Sequence, residues 1–347
     1  MLPTKAYSVP SASAPLAPFT FERREPGPND ILIDLFFCGV CHSDIHQARD
    51  EWGGSTFPMV PGHEIVGRVT RTGAEVKKFK AGDLAGVGCM VDACRTCASC
   101  KRGLEQFCEK GAAFTYNGTE MDRRTRTQGG YSSQIVVDEQ FGLKLTEGVD
   151  LAGVAPLLCA GITTWSPLRH WKAGKGSRVG VVGLGGLGHM AVKLAASLGA
   201  EVTMLSTSKS KEQDARRLGA HAFALTSDKG TFKKLGGAFD LIIDTISAPH
   251  DYNAYLGMLR VEGTMVLLGV PPAPTPVAAF ALIGGRRSLS GSLIGGIAET
   301  QEMLDYCAAH NIVSDVEVIP MQKINEAYER TVKGDVRYRF VIDLKTL

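Results

Sequence analysis

No block of like charge, no internal repeat and no low-complexity tract interrupts the 347 residues. Basic side chains number 38 against 36 acidic ones, a formal net charge of only +2. Neither nucleic acid nor an anionic membrane finds an electrostatic footprint on such a chain, so the expected partner is a small molecule. Met1 to Phe19 lacks a continuous apolar core and does not read as a secretory signal. Two long stretches lack charge, residues 151–168 and 265–285. The first carries Pro156 and Pro167, and the second carries Pro271, Pro272, Pro274 and Pro276. A bilayer-spanning helix does not tolerate such punctuation, so both read as core and loop. Cysteines number nine, and four of them fall within fifteen residues. An odd, crowded set without a secretory signal points to metal thiolates in a reducing cytoplasm rather than to disulfides.

What is present divides the chain in two, as its length requires. In the first third, short apolar runs at Ile31–Phe37, Glu64–Thr70 and Gln134–Val137 alternate with Gly- and Asp-bearing turns, which predicts an all-β region. After about residue 150 the pattern becomes strand–helix–strand. Arg178–Val182, Glu201–Leu205, Leu241–Ile243 and Met265–Leu268 read as buried strands and Leu187–Leu198 as a helix, the sequence of a parallel α/β sheet. The tail predicts a helix over Glu299–His310, a strand over Val316–Ile319 and a helix over Ile324–Lys333, returning to the first domain.

Between the first of those α/β strands and its helix lies Gly183-Leu184-Gly185-Gly186-Leu187-Gly188, a G-x-G-x-x-G turn in the context that makes it a dinucleotide fingerprint. Its glycines permit a tight turn and close approach of a pyrophosphate to the helix N-terminus. The next strand ends in Leu205-Ser206-Thr207-Ser208-Lys209-Ser210-Lys211. An NAD site places a carboxylate there to hold the ribose hydroxyls; hydroxyls and lysines suit a 2′-phosphate, so NADP(H) is the expected cofactor.

Cys94, Cys97, Cys100 and Cys108 form C-x2-C-x2-C-x7-C in a polar loop, a complete tetrahedral shell for a structural zinc ion. A second, dispersed set comprises Cys41, His63 and Cys159. Two Cys and one His would leave a fourth position open, as catalysis needs, but spacing this wide is not diagnostic by itself. Cys41 opens the stretch Cys41-His42-Ser43-Asp44-Ile45-His46, dense in proton and metal chemistry. Cys38, Cys89 and Cys307 have no evident partners and read as buried free thiols. Trp52, Met59 and Trp165 read as core or pocket lining, His189 as a packing residue, and Arg286-Arg287 as a surface pair.

In order along the chain, Gly39-Val40-Cys41-His42-Ser43-Asp44 through His46, Pro61-Gly62-His63-Glu64, the four-cysteine loop, Gln128-Gly129-Gly130-Tyr131-Ser132, Cys159-Ala160-Gly161-Ile162-Thr163 and Gly183 to Gly188 resemble the zinc-dependent medium-chain alcohol dehydrogenases. The resemblance is strongest to the cinnamyl alcohol dehydrogenase branch with its bacterial NADPH-dependent aldehyde reductases. It implies a GroES-like, mostly-β catalytic domain over residues 1–153 and 295–347. It further implies a doubly wound parallel-sheet Rossmann domain over 154–294, with the active site in the cleft between the two. Cys41, His63 and Cys159 take the catalytic-zinc positions, and Glu64 that of a carboxylate able to enter the zinc shell. Asp44 matches the carboxylate that orients the zinc-bound imidazole, and Ser43 and His46 match the proton relay. Cofactor contacts fall on His42, Thr163, Gly183 to Gly188, Ser206, Thr207, Ser208 and Lys211. The implied activity is reversible hydride transfer between NADP(H) and primary alcohols or aldehydes, aromatic and aliphatic, with reduction favoured. Two zinc ions per chain and a cytoplasmic homodimer complete the expectation. An NAD-linked polyol or amino-alcohol dehydrogenase of the same superfamily is disfavoured by the Ser/Lys segment. A zinc-dependent nucleic-acid-binding module is disfavoured by the balanced charge and the absence of a basic or aromatic stripe.

Overall fold

A computed structural model describes all 347 residues and divides them into two compact units, residues 1–162 with 295–347 and residues 163–294.

In the first unit, the strand Asp30–Gly39 is buried along almost its whole length, as its near-continuous apolar run demands. It serves three neighbours. Its N-terminal half pairs antiparallel with Gln134–Asp138, its C-terminal end with Arg339–Asp343, and one whole side with Ile65–Thr72. Leu84–Val87 and Leu143–Lys144 extend the sheet on one side and Val316–Pro320 on the other, seven strands in all. The last two strands thus return the tail to this sheet. Ile31, Ile33, Ile65 and Ile135 are fully buried between the layers, each contributing about 1.5–3 kcal/mol of transfer free energy.

The first third is not all-β. The helix His42–Ala48 leaves directly from the central strand, and a single helical turn, Ala98–Lys101, sits inside the cysteine loop. Turn chemistry outweighed the β pattern here: the Asp44 carboxylate accepts the backbone N–H of Cys41 at 3.0 Å and caps the first turn. The uncharged run at 151–168 becomes a helical turn Leu151–Val154, a 3-10 turn Ala155–Leu158 and the helix Ala160–His170, mostly buried. No single helix is long and apolar enough to cross a membrane, and the pair 151–158 and 160–170 is bent by 57°. Cys159 occupies that break, outside both helical segments.

In the second unit six strands form one wholly parallel sheet. Numbered along the unit as Arg178–Val182, Glu201–Ser206, Ala222–Leu225, Phe239–Asp244, Leu259–Leu267 and Ser288–Gly291, they lie in the order 3-2-1-4-5-6. That is the doubly wound arrangement, with the glycine turn at the point where the order reverses. Ala222–Leu225 and Ser288–Gly291 were invisible in the sequence because each is a four-residue edge strand with no fully buried residue. The helix Gly188–Ser197 packs on the sheet through Met190, Ala191, Val192, Leu194 and Ala195. Gly183 has φ of 87°, which turns the chain out of its strand, and a Cβ on Gly188 would stand 1.8 Å from the Gly183 carbonyl.

Gly188→Ala is therefore expected to lose about 1–3 kcal/mol of stability in a denaturant melt, because helix and turn have no room to part. At Gly185 an added Cβ meets no atom within 4 Å, and Gly185→Ala is expected to stay within about 0.5 kcal/mol of the parent. Equal midpoints for the two variants would refute the packing account.

Candidate metal and cofactor sites

The central strand of the first unit delivers Cys41 to the start of the helix His42–Ala48, and the carboxylate of Asp44 then gathers the rest. Asp44 is fully buried. Its Oδ2 accepts from the Cys41 N–H at 3.0 Å and the Tyr131 hydroxyl at 3.1 Å. Its Oδ1 accepts from the Gly62 N–H at 3.1 Å and His63 Nδ1 at 2.9 Å. With Nδ1 committed to the carboxylate, His63 presents Nε2 to the interior. Burial opposes the imidazolium, yet Asp44 holds the His63 pKa well above the ordinary value.

Four residues converge there. Cys41, His63, Glu64 and Cys159 are all buried, and each offers a ligand atom within 4.8 Å of the other three. The Cys41 and Cys159 sulfurs are 3.9 Å apart. A tetrahedral zinc ion with sulfurs at about 2.3 Å sets neighbouring sulfurs about 3.8 Å apart, so the spacing fits. The thiol hydrogen bond from Cys159 holds Cys41 well below the ordinary thiol range, helped by Arg339 and His63, while Cys159 is pushed up in turn. Both sulfurs would bind a dication as thiolates, giving up their protons to it. Burial pushes the Glu64 carboxyl up to about 7. One of its oxygens meets the Arg339 guanidinium, and the other, Oε2, is buried with no hydrogen-bond partner. An orphaned buried carboxylate oxygen beside two thiols and an imidazole is a donor set suited to a cation.

Arg339 was missed in the sequence. It is buried at the head of the strand Arg339–Asp343, whose pairing with Gly39 carries it to Glu64. The only linear signal was a lone cation opening an apolar run. Cys89, expected to be a buried thiol without a partner, is instead half-buried, with its sulfur 3.8 Å from the Leu158 carbonyl. Cys38 and Cys307 are buried free thiols.

Ser43 Oγ lies 3.7 Å from the Cys41 sulfur, and His46 follows on the same helix. His46 Nδ1 is paired with Glu51, and its ring stacks on Trp52 at 4.8 Å. His42 is exposed, its ring 6.1 Å from that of His46. Trp52 is half-exposed, whereas Met59 and Trp165 are core.

The second cysteine set closes locally. Cys94, Cys97, Cys100 and Cys108 offer sulfurs within 4.8 Å of one another. Cys97 caps the helical turn Ala98–Lys101, accepting the Cys100 N–H at 3.4 Å, and Cys108 accepts the Cys94 N–H at 3.4 Å. Backbone N–H groups of Thr96 and Cys97 hold Cys94 down at about 6, a thiolate awaiting a metal. All nine cysteines are unpaired.

In the second unit the glycine turn is tied to the segment after the next strand. Lys211 Nζ donates to the Leu184 carbonyl at 2.8 Å, and the Gly183 N–H to the Leu205 carbonyl at 3.0 Å. Ser206 is buried and accepts the Ser208 N–H at 3.2 Å, Thr207 is exposed, and Lys209 is engaged by Glu212. Gly185 faces open space, so its lack of a side chain serves no packing need of the protein and suits a ligand backbone lying close. Thr163 Oγ1 is buried without a partner, a second polar atom available to a cofactor. His189 is fully buried, its Nδ1 3.2 Å from the Gly185 carbonyl. Of the expected surface pair, Arg286 is exposed, but Arg287 is part-buried and donates to the Leu259 carbonyl at 2.9 Å.

Comparison with known proteins identifies two family models along the chain. Residues 27–147 match the alcohol dehydrogenase GroES-like domain, and residues 186–309 match the zinc-binding dehydrogenase family. NADP-dependent alcohol dehydrogenase C of Mycobacterium tuberculosis is 56% identical over 342 residues, covering 99% of each chain. Aldehyde reductase YahK of Escherichia coli is 52% identical over 345 residues, again covering 99% of each. Among solved structures, a cinnamyl alcohol dehydrogenase of Sorghum bicolor superposes with a TM-score of 0.96 at 44% identity, over 99% of this chain and 98% of the other. The cinnamyl alcohol dehydrogenase of Helicobacter pylori, complexed with NADP(H), gives 0.93 at 43% identity over 99% of both.

Elemental analysis of the purified protein is expected to find two zinc ions per chain. Cys97→Ser should remove one and lower the Tm markedly, since that loop folds around its metal. Cys41→Ser should remove the other with a smaller Tm loss, because hydrogen bonds and the sheet already hold that site. Both ions retained in Cys41→Ser would disprove the assignment.

Proposed function

The chain belongs to the zinc-dependent medium-chain alcohol dehydrogenases, and on that footing we propose NADP(H)-linked interconversion of primary alcohols and aldehydes as its activity, with aldehyde reduction the favoured direction. The observation that carries the reading is the convergence of Cys41, His63, Glu64 and Cys159 in front of the Asp44 carboxylate. Aromatic aldehydes of the cinnamyl and benzyl type and aliphatic aldehydes are the proposed substrates, supported by the likeness to cinnamyl alcohol dehydrogenases and an aldehyde reductase.

When bound, zinc supplies a Lewis acid to the substrate oxygen and NADPH supplies the hydride. Cys41, His63 and Cys159 would hold the metal in this reading, with Glu64 as a further carboxylate within reach of it. Arg339 steadies Glu64 from the other side. Asp44 keeps His63 in the tautomer that leaves Nε2 for the metal. The proton required at the substrate oxygen passes through the Ser43 hydroxyl and His46. Glu51 occupies the Nδ1 side of that imidazole, so proton exchange with the substrate side falls to Nε2.

For the cofactor, Ser206, Thr207, Ser208 and Lys211 are the proposed 2′-phosphate contacts, with Gly183 to Gly188, Thr163 and His42 on the rest of the dinucleotide. No carboxylate ends the strand Glu201–Ser206. The Lys211 amine is already anchored on the glycine turn, so its charge stands where it can serve a phosphate. Nine unpaired thiols suit a cytoplasmic enzyme. The proposed assembly is a homodimer. Ser288–Gly291 is an unpaired edge of the parallel sheet, and Phe280 and Ile283 beside it are 81% and 69% exposed.

A steady-state panel of aliphatic, benzylic and cinnamyl aldehydes with NADPH and with NADH tests the activity. NADPH is expected to be preferred, and Ser206→Asp to erode that preference; equal use of both cofactors by the parent would refute the phosphate assignment. In the same assay His46→Ala should lower kcat near neutral pH at unchanged zinc content, and an unaltered pH profile would remove His46 from the relay. Sedimentation equilibrium should return twice the 37.1 kDa chain mass, falling toward one chain in Phe280→Asp; a monomeric parent would exclude the dimer.

A further inference from the structure

Three phenols from distant parts of the chain converge on the carboxylate behind His63. Tyr131 is fully buried, and its hydroxyl donates to Asp44 Oδ2 at 3.1 Å. Tyr116 stacks its ring against the His63 imidazole at 5.8 Å and 28°, and its phenol lies near enough to feel the Asp44 charge. Tyr328, on the tail helix Ile324–Val332, donates to the Tyr131 hydroxyl at 3.4 Å. Burial, with the Asp44 charge next, holds all three phenols well above their ordinary pKa, so each remains a donor.

Tyr131 is also the most rigidly held of the three. The loop that carries it is zipped to the segment ending in His63: Gly129 N–H bonds the Val60 carbonyl at 2.7 Å, Gly130 N–H that of Gly62 at 2.9 Å, and Tyr131 N–H that of Pro61 at 3.0 Å. Its ring packs so close to Gly62 that a Cβ there would stand 2.7 Å from it. The metal ligand and the phenol are thus held by one pair of strand-like segments, with the Asp44 carboxylate closing the ring between them.

We infer that Tyr131, with Tyr116 and Tyr328 behind it, is a positioning residue for the catalytic metal centre, setting zinc affinity through the Asp44–His63 hydrogen bond without touching the metal. A buried carboxylate that loses a matched donor is free to rotate toward its remaining ones, and that rotation frees the imidazole from its orientation. Outer hydrogen bonds of this type are worth about 10–100-fold in metal affinity. The N–H groups of Cys41 and Gly62, the His63 imidazole and the Tyr131 hydroxyl stand 2.9 to 3.1 Å from the Asp44 oxygens, and Tyr131 supplies the one side-chain hydroxyl among these four. Its loss leaves Oδ2 with the Cys41 N–H.

The inference rests on His63 being a zinc ligand, and the test separates the two. Zinc affinity of the full chain is measured by competition with a chromogenic chelator, and the four-cysteine site serves as the internal reference in every variant. Tyr131→Phe keeps the ring and removes only the hydroxyl. It is expected to weaken the catalytic site about 10–100-fold while the affinity of the reference site stays unchanged. Tyr116→Phe, which leaves the loop untouched, should weaken the same site to a lesser degree and covers the case in which Tyr131→Phe fails to fold. In an Asp44→Asn background, Tyr131→Phe should have little further effect, since the hydroxyl acts through that carboxylate. Parental affinity in both phenylalanine variants, or undiminished loss in the Asp44→Asn background, would overturn the inference. His63→Ala retaining both ions would instead overturn the ligand assignment beneath it.

Discussion

A carboxylate buried without a hydrogen-bonded lysine or arginine must be surrounded by other donors, and Asp44 meets that condition by drawing three segments of chain together. It caps the helix that begins at Cys41, takes the backbone of Gly62 and the imidazole of His63, and receives the hydroxyl of Tyr131. An unpaired charge in such a place would cost several kcal/mol, so each donor is held as firmly as the anion needs it. The geometry of a metal site follows from a requirement that is not about the metal. Cys41 and His63 are in place because Asp44 has to be satisfied.

Behind this sits a second constraint, the buried pair of Glu64 with Arg339. The tail strand Arg339–Asp343 pairs with the end of the strand that feeds Cys41, so the last residues of the chain complete the site made by its beginning. Removing one member of a buried pair typically costs 3–5 kcal/mol because the other charge is stranded. Here the second Glu64 oxygen is already without a hydrogen-bond partner and burial raises its carboxyl to about 7, so Arg339 satisfies only one side of it. The proposed role of Glu64 as a carboxylate able to enter a metal shell draws its physical basis from that second, unsatisfied oxygen.

The glycine turn of the second unit separates two reasons for glycine that look identical in a sequence. Gly188 is glycine because the helix touches the turn, with no room for a methyl; Gly185 faces open space and is glycine for something outside the protein. Lys211 binds the turn to the segment after the next strand, so the two loops proposed to hold the cofactor phosphates are tied together.

Much that depends on neighbours in sequence was legible without coordinates, although the short helix His42–Ala48, capped locally by Asp44, was not. The four cysteines of residues 94–108, the turn from Gly183 to Gly188 and the Ser/Lys segment after Leu205 are local, since a short loop has few ways to arrange them. The long apolar strands were legible as well, because burial on both faces leaves a continuous run. Edge strands such as Ala222–Leu225 and Ser288–Gly291 were not, because half-exposed residues carry no such run. Cys41, His63 and Cys159 could be named only through resemblance, since nothing in spacings of that size brings them together. Arg339, Cys89 and the tyrosines at 116, 131 and 328 carried no linear signal that marked them as parts of the site. Their roles exist only once strand pairing and a buried carboxylate have set residues from opposite ends of the chain within hydrogen-bonding distance, a decision that belongs to the tertiary structure alone.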